Sequence, residues 1–582
     1  MELTTHQYNI FKSRYALPYE ETWEECIERV ANHVVKAEEH SKVVEIRTNF
    51  YNIMKDMKFI PGGRILHGSG RKSGAMLNCF VLDMEDNRYS IAKAMADMYL
   101  ISTSGGGVGM NYSKIRPKGA PIQGAENMAP GVVSEIRKID AIGEQVKCGG
   151  ERRVALLACL SVEHPDIMDF LHVKLDENEL NNHNISVLVT NEFLKAVRLD
   201  KMWEFEFGGL KYGSPIKARD IWNLIIENSI KRGEPGILFE DNIKDNFATK
   251  YFEKFVSTNP CGEICAPNYG ACCLGSINLS NFYDEANNDV NWSELAKTIK
   301  VAIRFLDNVI SINNYPIVEC KTTAEESRRI GLGVMGLHYL LIKLGMKYGK
   351  KKSLEFIERL FTTIRNEAFE ASIELAQEKG AFPMFDYDKY VDNVYIQQLP
   401  PRLLRKMKLY GIRNGVLLTV PPTGTTAQLA NVSSGIEPIF APVHVRKYRN
   451  TDGSVQTEII VDYLLSEHYK HNKSLAFFVS AYDVSPEEHI AVQAAVQQYV
   501  DGSISKTINL PEKYTDTNEV SDTIFDYSKY LKGMTMYRQN SRGQEPLVSI
   551  KFNGRKELGE YIEKAANIKA SETDCATGKC DI

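Results

Sequence analysis

The chain has no run of about 18 or more apolar residues, which excludes a conventional transmembrane helix. Its opening, MELTTHQYNIFKSRYALPYE, lacks the basic-then-apolar pattern of a cleavable leader. Positive charge is not in excess. Lys and Arg number 70 against 75 Asp and Glu, for a net charge of −5, so no nucleic-acid footprint is present and only local basic pockets for phosphates stay open. The cysteines show no paired C-x2-C spacing, and adjacent Cys272 and Cys273 cannot readily face one metal. The twelve histidines include no H-E-x-x-H and no i, i+4 pair. No protein-held metal is therefore expected. Also missing are a Walker Gly-Lys-Ser/Thr and any repeat of about 20–50 residues.

What remains is a globular composition, 582 residues with 43% hydrophobic and 25% charged, long enough to bury a large core. Eleven cysteines, an odd number, point to a reducing cytoplasm, where thiols serve redox chemistry or sit inert in cores. Residues 1–60 read as a helical region, with Cys26, Val30, His33 and Val34 at helical spacing between about Thr22 and Lys58. Pro61-Gly62-Gly63-Arg64 opens a main body over 61–560, and 561–582 form a flexible tail, with Ala570–Ile582 disordered. Within the body, apolar runs at Asn78–Leu82, Val154–Leu160, Ile185–Thr190 and Val416–Val420 read as strands. Longer helical stretches separate them, such as Leu354–Lys379 with Phe356, Leu360, Ile364, Phe369 and Ile373. Strands interleaved with helices indicate a parallel α/β architecture.

The densest chemistry lies in Asn259–Leu279, NPCGEICAPNYGACCLGSINL. In an extended segment Asn259, Cys261 and Glu263 would line one side and present an amide, a thiol and a carboxylate together, a set suited to redox or radical chemistry on a polar substrate. Ser104–Gly109 (SGGGVG) would let backbone amides approach a phosphate or base; a plain turn is the competing reading. Pro422, Thr423, Gly424, Thr425 and Thr426 follow a strand and precede a helical stretch, the arrangement in which a helix start captures phosphate. Cys148–Arg153 (CGGERR) offers two guanidiniums to a nucleotide or is a solvated loop. Cys575 and Cys580 in the polar tail read as a mobile dithiol.

These motifs together resemble the catalytic subunit of ribonucleotide reductase over nearly the whole chain. Asn259–Ile264 is similar to that family's finger loop, Cys272–Leu279 to its C-N-L-G-S-[IV]-N-L segment, and Leu77–Leu82 to the strand bearing its other redox cysteine. Pro422–Pro438 is similar to its phosphate loop, and Asp501–Asn509 is a further family-like stretch. The resemblance implies a ten-stranded α/β barrel, two parallel five-stranded halves around a central finger loop. It implies conversion of ribonucleoside di- or triphosphates to deoxyribonucleotides. Cys261 would carry a thiyl radical and take the ribose 3′ hydrogen, Glu263 would act as general base, and Asn259 would orient the substrate. Cys79 and Cys272 would supply reducing equivalents, with Cys265 and Cys273 as bystanders. Cys575 and Cys580 would relay electrons from thioredoxin or glutaredoxin. Asn78, Gly107 and the 422–426 loop would contact substrate, Asn78 standing where serine or alanine is common.

The family's classes differ in how the radical arises. The class I enzymes relay it from a separate metal-bearing subunit through two adjacent tyrosines. Here the matching stretch, Thr535–Asn540, has Tyr537 followed by Arg538. That departure points to the class dependent on adenosylcobalamin (vitamin B12). The alternatives are a class I large subunit with an unusual relay and a non-catalytic nucleotide-binding regulatory protein. With the body beginning by Pro61, no N-terminal ATP cone is expected. A dNTP or ATP effector site is expected from Asp86, Asn87, Arg116 and Arg152 at a homodimer interface.

Overall fold

The computed structural model describes residues 3–572 apart from 73, 123–127, 149–151, 450–454 and 542–546. Helices α1 (Thr5–Arg14), α2 (Trp23–Val34) and α3 (Val43–Lys55) form the N-terminal cap, with short α4 (Gly63–Gly68) leading into the body. Local sequence explains two of the starts. Thr4 with Gln7, and Thr22 with Glu25, make reciprocal capping boxes that satisfy amides a helix start leaves open. On α2 the apolar face foreseen from Cys26, Val30 and Val34 is buried. Helix α1 is absent from the sequence reading because its apolar residues form no sustained stripe.

Numbering only the barrel strands, the first half is β1 (Cys79–Leu82), β2 (Gly107–Asn111), β3 (Leu156–Ser161), β4 (His183–Val189) and β5 (Gly236–Phe239). Each lies parallel to the next in chain order. The second half contains β6 (Leu274–Asn278), β7 (Gly331–Met335), β8 (Thr507–Leu510) and β9 (Gly533–Arg538). The extended segment 416–420 fits between β7 and β8, bridging Leu332 to Leu418 and Val420 to Ile504 in parallel. Pairs β6–β7 and β8–β9 are also parallel. The halves meet antiparallel at two seams. One is β5 against β9. At the other, Val81 and Cys272 amides donate to Gly270 and Cys79 carbonyls across residues 79–81 and 270–272. Five strands in each half, joined at both edges, make the ten-stranded barrel.

Long helices wrap the barrel. The Lys351–Lys379 helix buries Phe356, Leu360, Ile364, Phe369 and Ile373, the face read from the sequence. The buried Asp501 carboxylate accepts the Leu417 and Leu418 amides at 2.8 and 2.7 Å, fixing the middle of the second half. The helix Gly554–Glu572 continues past residue 561. Among the described residues no helix is long and apolar enough to cross a membrane.

Candidate active site

Ser257–Thr258 and Cys265–Ala266 pair as a small antiparallel hairpin inside the barrel. Asn259, Cys261 and Glu263 sit on its turn and not on an extended strand, which corrects the alternation argument. Gly262 adopts φ +79°, a conformation that favours glycine, and closes the turn by donating to the Asn259 carbonyl at 2.9 Å. Asn259 Oδ1 accepts the Ile264 amide at 3.0 Å. The turn brings the three side chains together by a different route from the one the spacing suggests.

Both barrel halves grip this hairpin. A Cβ at Gly109 of β2 would stand 1.9 Å from the Thr258 carbonyl oxygen, and one at Gly107 would stand 3.2 Å from Pro260 Cγ. The glycine run therefore provides close backbone approach. From the other half the Ser503 amide donates to the Glu263 carbonyl at 2.9 Å, and the Thr419 hydroxyl bonds the same oxygen. Thr419 and Ser503 carried no assignment from the sequence; only their contact with a distant turn reveals them.

Cys79 opens β1, and its carbonyl accepts the Cys272 amide at 3.1 Å, so the two cysteines are neighbours across the second seam. Cys261, Cys79 and Cys272 all lie within the electrostatic reach of Glu263. Burial pushes the Cys79 thiol up to about 12 and the Cys261 and Cys272 thiols well above their ordinary value, with the Glu263 carboxylate adding in the same direction. All three hold S–H, the form able to give a hydrogen atom or a proton. Cys261 is exposed on the wall of a cavity, and the protein packed around it still desolvates its thiol. Burial likewise pushes Glu263 to about 7, with the Asn259 amide opposing. Cys265 is buried, and Cys273 Sγ faces the Leu306 carbonyl in the core, away from this group.

Three buried polar atoms at the site, Asn78 Oδ1, Asn259 Nδ2 and Glu263 Oε2, make no hydrogen bond of normal geometry among the described residues, although the Asn259 amide is close enough to Glu263 to act on it. Leaving such groups unpaired costs about 1–3 kcal/mol each, so their convergence marks a place for a polar ligand. Asn278, at the end of β6, has both side-chain polar atoms unpaired; its position inside an already quoted motif gave no hint of this.

Beside Cys261 lies a cavity of about 390 Å³, bounded also by Pro422, Ser186, Gly236, Thr535 and Tyr537. Arg538 is not among its lining residues; the guanidinium is tied to the Ile230 and Glu512 carbonyls. In the 422–426 turn, Thr423 takes φ +56°, its Oγ1 accepts the Gly435 amide at 3.0 Å, and helix α5 (Gly424–Ala430) starts behind it. Thr426 Oγ1 turns back to the Thr423 carbonyl, whereas Thr425 is half-buried and Pro422 and Gly424 are exposed.

Away from this centre, Arg116 pairs with Asp86 at 2.7 Å, and Asn87 caps the helix Arg88–Thr103 through the Ser90 amide. The Arg152 side chain and the tail cysteines Cys575 and Cys580 lie outside the described residues.

Comparison with known proteins agrees with this architecture. The family model for the ribonucleotide reductase barrel domain matches residues 77–537, and that for the ribonucleotide reductase all-alpha domain matches residues 1–74. A vitamin B12-dependent ribonucleoside-diphosphate reductase of Thermoplasma acidophilum is 34% identical, over 91% of this chain and 71% of the relative. One of the same description from Mycobacterium tuberculosis is 32% identical over 94% of this chain and 81% of its own length. A ribonucleoside-diphosphate reductase subunit alpha of Chlamydia trachomatis is 25% identical over 84% of this chain and 54% of its own. With a barrel built from two parallel halves, a thiol-bearing hairpin at its centre and matches of this extent, the chain belongs to the ribonucleotide reductase family.

Proposed function

We propose that this protein is a vitamin B12-dependent ribonucleoside-diphosphate reductase, converting ribonucleotides to 2′-deoxyribonucleotides by thiyl-radical chemistry at Cys261. The observation that carries the reading is the convergence of Cys261, Cys79 and Cys272 on a buried carboxyl, with three unpaired polar atoms around them. The two relatives described as B12-dependent support the cofactor assignment.

The cavity beside Cys261 suits the adenosyl end of adenosylcobalamin, since about 390 Å³ lies within the roughly 300–1,000 Å³ of small-molecule sites. Ser186, Asn509, Thr535 and Tyr537 on its wall are the residues that would hold it. When bound, the cofactor supplies the oxidising equivalent that turns the Cys261 thiol into a thiyl radical. The remaining steps belong to the chain. Cys261 takes the 3′ hydrogen of the ribose, Glu263 accepts the 3′ hydroxyl proton through its unpaired Oε2, and Asn259 Nδ2 donates to the substrate. Cys79 and Cys272 together give two protons and two electrons: the 2′ hydroxyl leaves as water, a hydrogen takes its place on C2′, and the two sulfurs join as a disulfide, after which Cys261 returns its hydrogen to C3′ and Glu263 returns its proton to the 3′ oxygen. Cys575 and Cys580 reduce that disulfide by exchange and are recharged by a thioredoxin-type protein, thioredoxin or glutaredoxin. The 422–426 turn binds the substrate phosphates, and Asn78 with Gly107 completes the ribose side. A dNTP or ATP effector binds near Asp86, Asn87, Arg116 and Arg152 of a cytoplasmic homodimer.

The test is anaerobic turnover of each ribonucleoside di- and triphosphate with adenosylcobalamin and a dithiol. Deoxynucleotide should form with the cofactor alone, and Cys261→Ala should abolish it while nucleotide still binds. Product that requires a metal-bearing partner subunit, or turnover unchanged in the alanine variant, would overturn the reading.

A further inference from the structure

The N-terminal cap reaches the 422–426 turn and the helix α5 behind it through two side chains. Tyr15 ends α1 and is 3% exposed, with its ring against Gly63, where a Cβ would lie 3.2 Å from Cε1. Its carbonyl is held by Arg29, whose guanidinium is paired with buried Glu20 at 2.6 Å. So fixed, the Tyr15 hydroxyl lies 2.5 Å from Thr425 Oγ1. Gln7, one helical face away on α1 and also buried, donates through Nε2 to the Leu429 carbonyl at 2.7 Å. One helix of the cap thus pins the first and the last turn of α5. Seven residues are too few for a helix to keep its alignment without such external contacts.

The geometry allows either hydroxyl to donate, and the chemistry of the contact favours Tyr15 as the donor. A phenol, with a pKa near 10, is the better donor, and an aliphatic hydroxyl has one proton and two acceptor lone pairs. With Tyr15 donating, Thr425 accepts on one side and keeps its own proton free for the half-buried, outward side. A hydroxyl that accepts one hydrogen bond is also a stronger donor in the next.

We infer that Tyr15 is a positioning residue for the substrate phosphates, donating to Thr425 so that the Thr425 proton is aimed at a phosphate oxygen, while Gln7 holds the far end of the same helix. The inference rests on the proposed role of the 422–426 turn in binding phosphate. It makes the helical cap a working part of the nucleotide site, and not only a cover for the barrel.

Steady-state kinetics on the full chain with adenosylcobalamin and a dithiol test it, together with equilibrium binding of the ribonucleotide in the absence of cofactor. Tyr15→Phe keeps the ring and removes one hydrogen bond, so KM and the nucleotide dissociation constant should each rise about 3- to 10-fold. The value of kcat should stay within about twofold, the pattern of lost uniform binding. Tyr8→Phe, on the exposed side of α1, should leave both constants unchanged. Thr425→Val removes the phosphate hydrogen bond along with the Tyr15 contact, so it should weaken binding at least as much as Tyr15→Phe, and combining the two should add nothing beyond Thr425→Val alone. Thr425→Ser should restore near-normal binding. If Thr425→Val weakens binding and Tyr15→Phe does not, the role of Tyr15 is overturned while the phosphate turn stands. If Thr425→Val has no effect on binding, the phosphate reading fails and the inference goes with it. Should Tyr15→Phe not fold, Gln7→Leu decides: weakened nucleotide binding at unchanged kcat supports the clamp, and unaltered binding overturns it.

Discussion

Burial moves the Glu263 carboxyl from its ordinary 4.5 to about 7, and that displacement has opposite consequences for rate and for stability. As a general base the residue works only when ionised, so kcat/KM should rise with pH and level off above about 7. Glu263→Gln should remove this ascending limb and lower kcat by about 10²–10⁴-fold. A limb that persists in the glutamine variant would assign the titration to another group. For stability, the native chain holds a proton that the unfolded chain has already released between 4.5 and about 7, so folding weakens as pH rises through that window. At pH 8 the wild type buries an anion and Glu263→Gln does not. Thermal melts should therefore favour the variant at pH 8 and converge at pH 4. The thiols around Glu263 follow the same physics, since desolvation raises them above their ordinary value and keeps them protonated near neutral pH.

The finger hairpin shows how an element is placed by residues that carry no chemistry. Gly109 allows the Thr258 carbonyl to approach β2 so closely that any side chain would overlap it. Gly109→Ala should push the hairpin out of line, at a cost of about 1–3 kcal/mol or more for overpacking, and lower turnover beyond what the loss of stability explains. Denaturant melts and single-turnover rates check this; an alanine variant with wild-type values on both would mean that the hairpin is not seated against β2. The same example marks what could be read beforehand. Asn259, Cys261 and Glu263 stood out because their types and spacing carry chemistry, Cys79 and Cys272 only through the resemblance of their motifs to the family's, and the strands at 79–82, 156–161 and 183–189 because apolar runs betray them. The hairpin turn was misread as extended because two-residue alternation cannot see a positive φ at Gly262. The purpose of Gly109 and the Tyr15–Thr425 contact were not legible at all. Each depends on a partner far along the chain, and the weakly patterned α1 gave no reason to look for one.

At the scale of the molecule, the question is what holds the helical cap to the barrel's outer helices firmly enough for α1 to reach the site. Glu38, in the link between α2 and α3, has a side chain 1% exposed. It pairs with Arg304 at 3.0 Å and Lys379 at 2.7 Å, and it accepts Asn308 Nδ2 at 2.9 Å. Lys379 also donates to Asn308 Oδ1, so one carboxylate joins the cap to the helices Trp292–Ile312 and Lys351–Lys379. A buried pair of this kind is poor evidence of net stabilisation, because desolvation offsets much of the attraction, but removing Glu38 takes the carboxylate from Lys379, although Arg304 keeps its pair with Glu378. Glu38→Gln keeps the shape and withdraws the charge, and should cost about 3–5 kcal/mol in denaturant unfolding. The loss should change little with added salt, since these charges are shielded from the ion atmosphere. Because the same cap carries Tyr15 and Gln7, a loosened cap should also raise the nucleotide KM without a matching fall in kcat. A Glu38→Gln protein with unaltered unfolding would mean that apolar packing alone docks the cap. A destabilised protein with unaltered KM would mean that cap and site are mechanically independent.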